Sequence, residues 1–131
     1  MGLDMYAYRV AKENAIGDFE IAKGEDGYSI IEDSDFAYWR KFNALHGWME
    51  QLYRAKGGAE DSFNCIPVRL TEQDLNQLIE DVGGNKLKPT QGFFFGAQEI
   101  YPEDLESIYT FVGKALSAIK QGDAVYYNSW W

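Results

Sequence analysis

The order of strand-like and helix-like segments along the chain constrains its fold more than any other feature. Segments that favour strands lie near residues 3–12 and 19–32, and again near 93–96 and 124–130. Strands come first, helices cluster later, and few strand–helix–strand units are available for right-handed crossovers, which disfavours a doubly wound parallel sheet. We therefore predict an α+β fold, in which a small, mainly antiparallel sheet is covered on one side by two long helices and one shorter helix.

The first segment alternates with the two-residue period of a strand. Residues 3–10 place Tyr6, Tyr8 and Val10 on one parity and Met5 on the other. Such alternation is typical of a strand with one buried face. We expect the tyrosine parity to be the buried one.

A turn-rich tetrad, Gly24-Glu25-Asp26-Gly27, lies within the second strand-like region. Two β-prone segments, residues 19–23 and 28–32, flank it. Segments of this kind joined by a short glycine-containing loop are typical of a β-hairpin. We therefore predict a hairpin over residues 19–32.

Helical periodicity predicts three helices. From an N-cap at Ser34 or Asp35, apolar residues recur at 4-3-4-3 spacing, which predicts the first long helix up to about residue 57. Thr71 and Asp74 form a capping-box pattern that begins the shorter helix, and glycines end it at 83–84. Pro102 begins the second long helix, which ends near residue 122. The stripe of the first helix consists of Tyr38, Phe42, Leu45, Met49 and Leu52.

Two short strands complete the predicted sheet. Residues 65–70 favour a strand, and Pro67 places it at a sheet edge because proline donates no ladder hydrogen bond. The three consecutive phenylalanines 93–95 lie between glycines, which predicts a short strand that is buried on both faces.

Length and charge limit the possible partners. We predict one domain over residues 1–131. With 12 Lys and Arg against 21 Asp and Glu, the net charge is −9, which disfavours direct nucleic-acid binding through general basicity. No apolar stretch approaches the roughly 18 residues of a membrane span, and a single cysteine forms no internal disulfide. We expect a cytoplasmic protein without a membrane partner.

The sequence offers little for catalysis. His46 is the only histidine and Cys65 the only cysteine, so the usual zinc-ligand sets cannot be assembled. Neither a nucleophile-elbow motif nor a phosphate-binding glycine loop is present. We therefore name no catalytic residue, metal or cofactor, and the sequence favours a non-enzymatic role without deciding it. Beside two apolar neighbours, Cys65 is expected in the core.

Acidic residues are concentrated between residues 18 and 35, where Lys23 is the only cation. They could present a negative surface to a basic partner, such as a groove that binds nucleic acid. An ordinary solvated face is the alternative interpretation. The residues that we expect to contact a partner are Glu25, Asp26, Glu32, Asp33 and Asp35.

A second candidate site combines cations with an aromatic side chain. On a helix, Arg40 and Lys41 would point away from the apolar stripe, where they could bind a phosphate or pair with neighbouring acids. The possible ligand pocket consists of Trp39, Arg40, Lys41, His46, Thr90 and Gln91. It would accept a nucleotide.

Three strings in the sequence resemble a family of small bacteriophage and prophage accessory proteins. They are Gly2-Leu3-Asp4-Met5-Tyr6, the run Tyr38-Trp39-Arg40-Lys41 followed by Asn43, Leu45-His46 and Trp48, and Pro89-Thr90-Gln91-Gly92-Phe93-Phe94-Phe95-Gly96. The resemblance implies a phage or prophage origin and a bacterial cytoplasm. It implies no particular activity.

Three functions remain open at this point. The leading expectation is a phage-encoded binding protein that neutralises a host component, such as a bacterial defence factor, in the manner of an anti-CRISPR inhibitor. The first alternative is a nucleotide binder or enzyme that uses the pocket around Arg40. The second is a structural or assembly protein of the virion.

Overall fold

The described part of the protein consists of six strands and three helices around one main sheet. The structure, a computed structural model, describes residues 3–87 and 100–131. The predicted strand near 93–96, like Thr90 and Gln91, lies outside the described residues. The strands are β1 (Asp4–Val10), β2 (Ala15–Gly17), β3 (Glu20–Ile21), β4 (Asp33–Arg40), β5 (Val68–Leu70) and β6 (Ala124–Trp130). The helices are α1 (Asn43–Ala55), α2 (Glu72–Gly83) and α3 (Pro102–Lys120).

Four strands form an antiparallel sheet in the order β4-β1-β6-β5. β1 and β6 occupy the centre and pair from Asp4 opposite Trp130 to Val10 opposite Ala124. β5 lies at an edge, as Pro67 predicts. Together with the three helices, this sheet confirms the predicted α+β class.

The three helices contribute to one core on a single face of the sheet. Leu3, Met5 and Ala7 are fully buried in that core together with residues of α1, α2 and α3. Tyr6 and Tyr8 lie half-buried on the opposite face, so the prediction that the tyrosine parity is covered by the core was wrong. Alternation shows that two faces differ but not which one is covered. Wholly apolar side chains suit a core better than tyrosines, whose hydroxyls need polar partners.

Residues 11–32, which we call the excursion, lie over part of the other face. Ile21 of β3 packs there in a second small core with Val10, Ala124 and Tyr126. The predicted hairpin is present in a short form: Gly24 N donates to the Tyr28 carbonyl at 2.9 Å, Ile30 N donates to the Ala22 carbonyl at 2.8 Å, and Lys23 forms an antiparallel bridge with Ser29. β3 pairs with β2 instead of a strand after the turn. In the part of the chain that the structure describes, no α-helix lies over the remainder of this face.

The largest correction concerns residues 33–42. The apolar spacing predicts a helix from about residue 34, but β4 occupies residues 33–40 and α1 begins at Asn43. β4 pairs with β1, with Tyr38 opposite Tyr6 and Trp39 opposite Met5. The helical spacing continues through the strand–helix junction, so periodicity alone does not detect it. The aromatic content of the segment favours the strand.

The other helix boundaries agree with the sequence. Thr71 caps α2, its hydroxyl accepting from Asp74 N at 3.2 Å, while the Asp74 carboxylate accepts from Thr71 N at 2.9 Å. α3 begins at Pro102 and buries Ile108, Val112 and Ala115 as its stripe predicts. These two helices follow from local signals that the rest of the fold does not override.

Candidate functional site

The five acids predicted to contact a partner lie in the excursion and at the start of β4. Glu25 and Asp26 occupy the turn of the excursion, and the other three follow where the chain enters β4. All five side chains are exposed. Among residues 3–87 and 100–131, none of them takes part in a salt bridge. We call Glu25, Asp26, Glu32, Asp33 and Asp35 the acidic surface.

Two members of the acidic surface also shape its backbone. Asp26 Oδ1 accepts a hydrogen bond from Tyr28 N at 3.0 Å, and Asp33 Oδ1 accepts from Asp35 N at 3.0 Å. Aspartates commonly bond the backbone two residues ahead in this way, which fixes a turn. The acidic surface therefore contains residues with a local structural role as well as residues that only carry charge.

The cation nearest in the sheet register does not neutralise this surface. Arg9 lies opposite Asp33 in the β1–β4 pairing. Its guanidinium turns instead to the end of α3, with Nε 2.6 Å from Asp123 Oδ2 and a second nitrogen 2.8 Å from Gln121 Oε1. The charge of the acidic surface is therefore left exposed to solvent.

The structure places the predicted pocket residues in different surroundings. Trp39 is buried on the helix side, where its Nε1 donates to Ser107 Oγ at 3.0 Å. Arg40 points to the other side, with Nε 3.7 Å from Asp4 Oδ1. Lys41 is exposed in a left-handed conformation with φ of 57°. The cavity that the described residues form between β4 and α3 is lined by Trp39 but not by Arg40 or Lys41.

His46 belongs to the interior. It is fully buried on α1, with Nδ1 2.7 Å from the Tyr127 hydroxyl and its ring 4.9 Å from that of Trp131. Burial lowers the pKa of His46 from its usual 6.5 to about 4, because the low-dielectric interior disfavours the charged imidazole. The neutral ring therefore contributes to packing and shares no exposed pocket with Arg40.

The expectation for Cys65 was wrong. The side chain is exposed, and its backbone has a positive φ of 62°. Its Sγ lies 3.5 Å from Asn64 Oδ1. It borders a cavity of about 590 Å³, together with Tyr53 and Glu60.

Sequence reasoning missed an aromatic cluster on the face opposite the helices. Tyr38 is 55% exposed and Trp130 64% exposed. The Tyr38 ring lies 5.3 Å from the Tyr6 ring, and its hydroxyl donates to Asp4 Oδ1 at 2.7 Å. The parity of Tyr6 and Tyr8 was the available clue, but it was assigned to the wrong face.

With the geometry established, comparison with known proteins adds no relative. No protein-family model, curated protein or solved structure matches the chain. Within the described residues, no helix has the length and apolar character needed to cross a membrane. The same residues contain no group of three or more His, Cys, Asp or Glu arranged to hold a metal ion.

Proposed function

We propose that this chain is a non-enzymatic binding protein of a bacteriophage or prophage, which acts in the bacterial cytoplasm and neutralises a host protein. The partner is a basic, nucleic-acid-binding defence factor, such as a CRISPR effector. The resemblance of three sequence strings to phage and prophage accessory proteins supports the origin. The net charge of −9 supports the basic character of the partner.

One observation carries the proposal: the acidic surface is exposed and is not compensated by an ion pair within the described residues. Carboxylates of this kind need little rearrangement to meet a basic groove. Complementary charge accelerates association and selects among partners. Exposed carboxylates can thereby occupy the place of nucleic-acid phosphates.

The nucleotide pocket has weaker support. Trp39 and Arg40 lie on opposite sides of β4, and His46 is fully buried. Thr90 and Gln91 lie outside the described residues. No specific observation favours a virion protein.

The test reverses charge within the acidic surface without disturbing its turns. Co-purification from a bacterial lysate with mass spectrometry identifies the partner, and calorimetry then measures its affinity. The variant carries Glu25→Lys, Glu32→Lys and Asp35→Lys, which leaves the turn-forming Asp26 and Asp33 in place. We expect affinity to fall about 100-fold, because close charge pairs across an interface couple by about 1.5 kcal/mol or more.

A matched control separates the acidic surface from total charge. Glu60→Lys, Asp61→Lys and Glu80→Lys also change exposed acids that form no salt bridge in the described part of the chain. Either triple variant changes the net charge from −9 to −3, since each reversal adds two units. We expect the control to retain most of the affinity. Equal loss in both variants, or no loss in the first, would rule out the acidic surface as the contact.

A further inference from the structure

We propose that the groove between β4 and α3 receives an extended, basic segment of a protein partner as an added strand of the sheet. This inference rests on the proposed function for the protein nature of the partner. The charge and conformation of the segment are argued from the groove itself. Adding a strand to an exposed sheet edge is a recurrent way to bind peptides.

Among residues 3–87 and 100–131, β4 lies at the edge of the four-stranded sheet. Within that part of the chain, β1 is the one strand that pairs with it. Lys41 N donates to the Leu3 carbonyl at 2.8 Å, so residues 3 and 41 form a hydrogen-bonded pair. Such pairs alternate with pairs whose backbone groups point away from each other. The backbone N–H and C=O groups of Tyr38 and Arg40 therefore point away from β1, toward the edge that no described strand occupies.

A lysine blocks one end of this edge. Lys114 Nζ donates to the Phe36 carbonyl at 2.5 Å and lies 4.6 Å from the centre of the Phe36 ring. Lysines commonly protect sheet edges against unwanted pairing. The protection stops at Phe36, which leaves the two outward-pointing residues beyond it available.

The groove beside that free stretch has space and a suitable lining. It encloses about 390 Å³ between Tyr38 and Trp39 of β4 and residues of α3 that include Glu103 and Glu106. Trp39 Nε1 donates a hydrogen bond to Ser107 Oγ at 3.0 Å, which links the two walls of the groove. An extended chain paired with β4 would lie along this space and pass the α3 carboxylates.

Charge selects the occupant. Glu103 and Glu106 are exposed and form no ion pair with any residue in the described ranges. Lys114, the cation of the groove, is already bound to Phe36. Alternate side chains of a strand point to the same side. A segment with Lys or Arg at alternate positions would therefore place its cations against the two glutamates.

The experiment uses the full chain, labelled with ¹⁵N, and three synthetic peptides of about eight residues. The first alternates Lys and Val, the second alternates Glu and Val, and the third is the Lys-Val peptide with N-methylated backbone at alternate residues. We expect only the first to shift the amide signals of Tyr38, Arg40 and Ser107 and to slow deuterium exchange at Tyr38 and Arg40. The double variant Glu103→Lys, Glu106→Lys should bind the Lys-Val peptide about tenfold more weakly than the unmodified protein does. It should bind the Glu-Val peptide more tightly.

Each other outcome overturns the inference. Equal binding of the N-methylated peptide would show attraction by charge alone without strand pairing. Shifts at Tyr38 that depend on protein concentration without peptide would assign the edge to a second copy of this chain. Because the peptide arms use unmodified protein, they remain decisive even if the double variant does not fold.

A variant of the acidic surface distinguishes this inference from the proposed function. Glu25→Lys with Glu32→Lys, both outside β4, should still allow the Lys-Val peptide to slow deuterium exchange at Tyr38 and Arg40. If that variant loses the host partner while no peptide pairs with β4, only the groove inference fails. If the peptide pairs but the variant keeps the partner, only the acidic surface fails.

Discussion

At the scale of single residues, His46 makes stability depend on pH. Burial holds the pKa of its ring at about 4 in the folded protein, against 6.5 when exposed. Between those values the unfolded chain binds a proton that the folded protein does not. The His46 contribution to stability is therefore fully present above the pKa of the ring in the unfolded chain. It is lost as the pH falls toward the pKa of the ring in the folded protein.

We expect the His46 contribution to lower the free energy of unfolding by about 2 kcal/mol from about pH 7 to about pH 5. Urea unfolding followed by circular dichroism measures it. His46→Gln provides the control, because His46 is the only histidine and the two proteins share every other titratable side chain. Parallel pH profiles for the two proteins would contradict the prediction.

Two glycines should respond in opposite ways to the same substitution. A Cβ on Gly58 would lie 2.3 Å from the ring of Tyr53, which is buried and stacked on Phe63, whereas a Cβ on Gly113 of α3 meets nothing within 4 Å. We expect Gly58→Ala to lose about 1–3 kcal/mol through overpacking. Gly113→Ala should gain about 1 kcal/mol of helix propensity. Thermal unfolding of both variants checks the signs, and a neutral Gly58→Ala would show that the ring can move.

At the scale of elements, the start of α2 joins a cap to an ion pair. Thr71 and Asp74 cap each other, and Lys56 Nζ lies 2.7 Å from Asp74 Oδ2. Burial opposes ionisation of Asp74, but the Lys56 ammonium and hydrogen bonds from Thr71 outweigh it and lower the pKa of that carboxyl. Because Lys56 directly follows the last residue of α1, its ion pair with Asp74 also joins the end of α1 to the start of α2.

We expect Thr71→Ala to reduce the free energy of unfolding by about 1 kcal/mol, as for the loss of one N-cap. Asp74→Ala should cost more, because it also removes the reciprocal hydrogen bond and the shortest ion pair of the largely buried Lys56 ammonium. Within the described residues, that ammonium then keeps only the Arg69 carbonyl at 2.6 Å and the Asp18 carboxylate at 3.9 Å. Chemical denaturation at neutral pH compares the two variants. Equal losses would show that the ion pair adds nothing to the cap.

Elements with strong local signals could be predicted from sequence, and those decided by long-range pairing could not. The capping box at Thr71 and the proline at the start of α3 fix their helices locally. β4 was missed because its strand character depends on pairing with β1, some thirty residues earlier, as in Trp39 opposite Met5. Local periodicity contains no information about such a partner.

The same distinction applies to the candidate sites. The acidic surface could be recognised by counting charges. Arg9 does not neutralise the acidic surface because it binds Asp123 instead. Sequence reasoning could not detect this pairing, since Asp123 lies 114 residues away in sequence. The groove between β4 and α3 was inaccessible to sequence reasoning, because residues 33–40 were interpreted as helix.

At the scale of the whole molecule, the excess of acids over cations should make stability depend on salt. The chain has 21 acids against 12 cations, and only four cations form ion pairs in the part of the chain that the structure describes. An excess of one charge destabilises a compact state, and salt screens that repulsion.

We expect the free energy of unfolding to rise by about 1 kcal/mol between about 0.02 M and about 0.5 M sodium chloride. Urea unfolding at the two concentrations measures the change. The Glu25→Lys, Glu32→Lys, Asp35→Lys variant should show a smaller rise, because its net charge is closer to zero. A fall in stability with salt would mean that ion pairs dominate.

The position of β6 determines when the sheet can assemble during synthesis. β6 follows every other described element along the chain, yet it lies between β1 and β5 at the centre of the sheet. While the ribosome is still translating residues before 124, β1 has one of its two described partners and β5 lacks β6, the strand with which it pairs in the described sheet. Pairings between segments so distant in sequence form slowly. The edges of β1 and β5 that later pair with β6 therefore stay exposed until β6 has been synthesised. A chaperone, or helices that form early, would protect these edges from aggregation during that time.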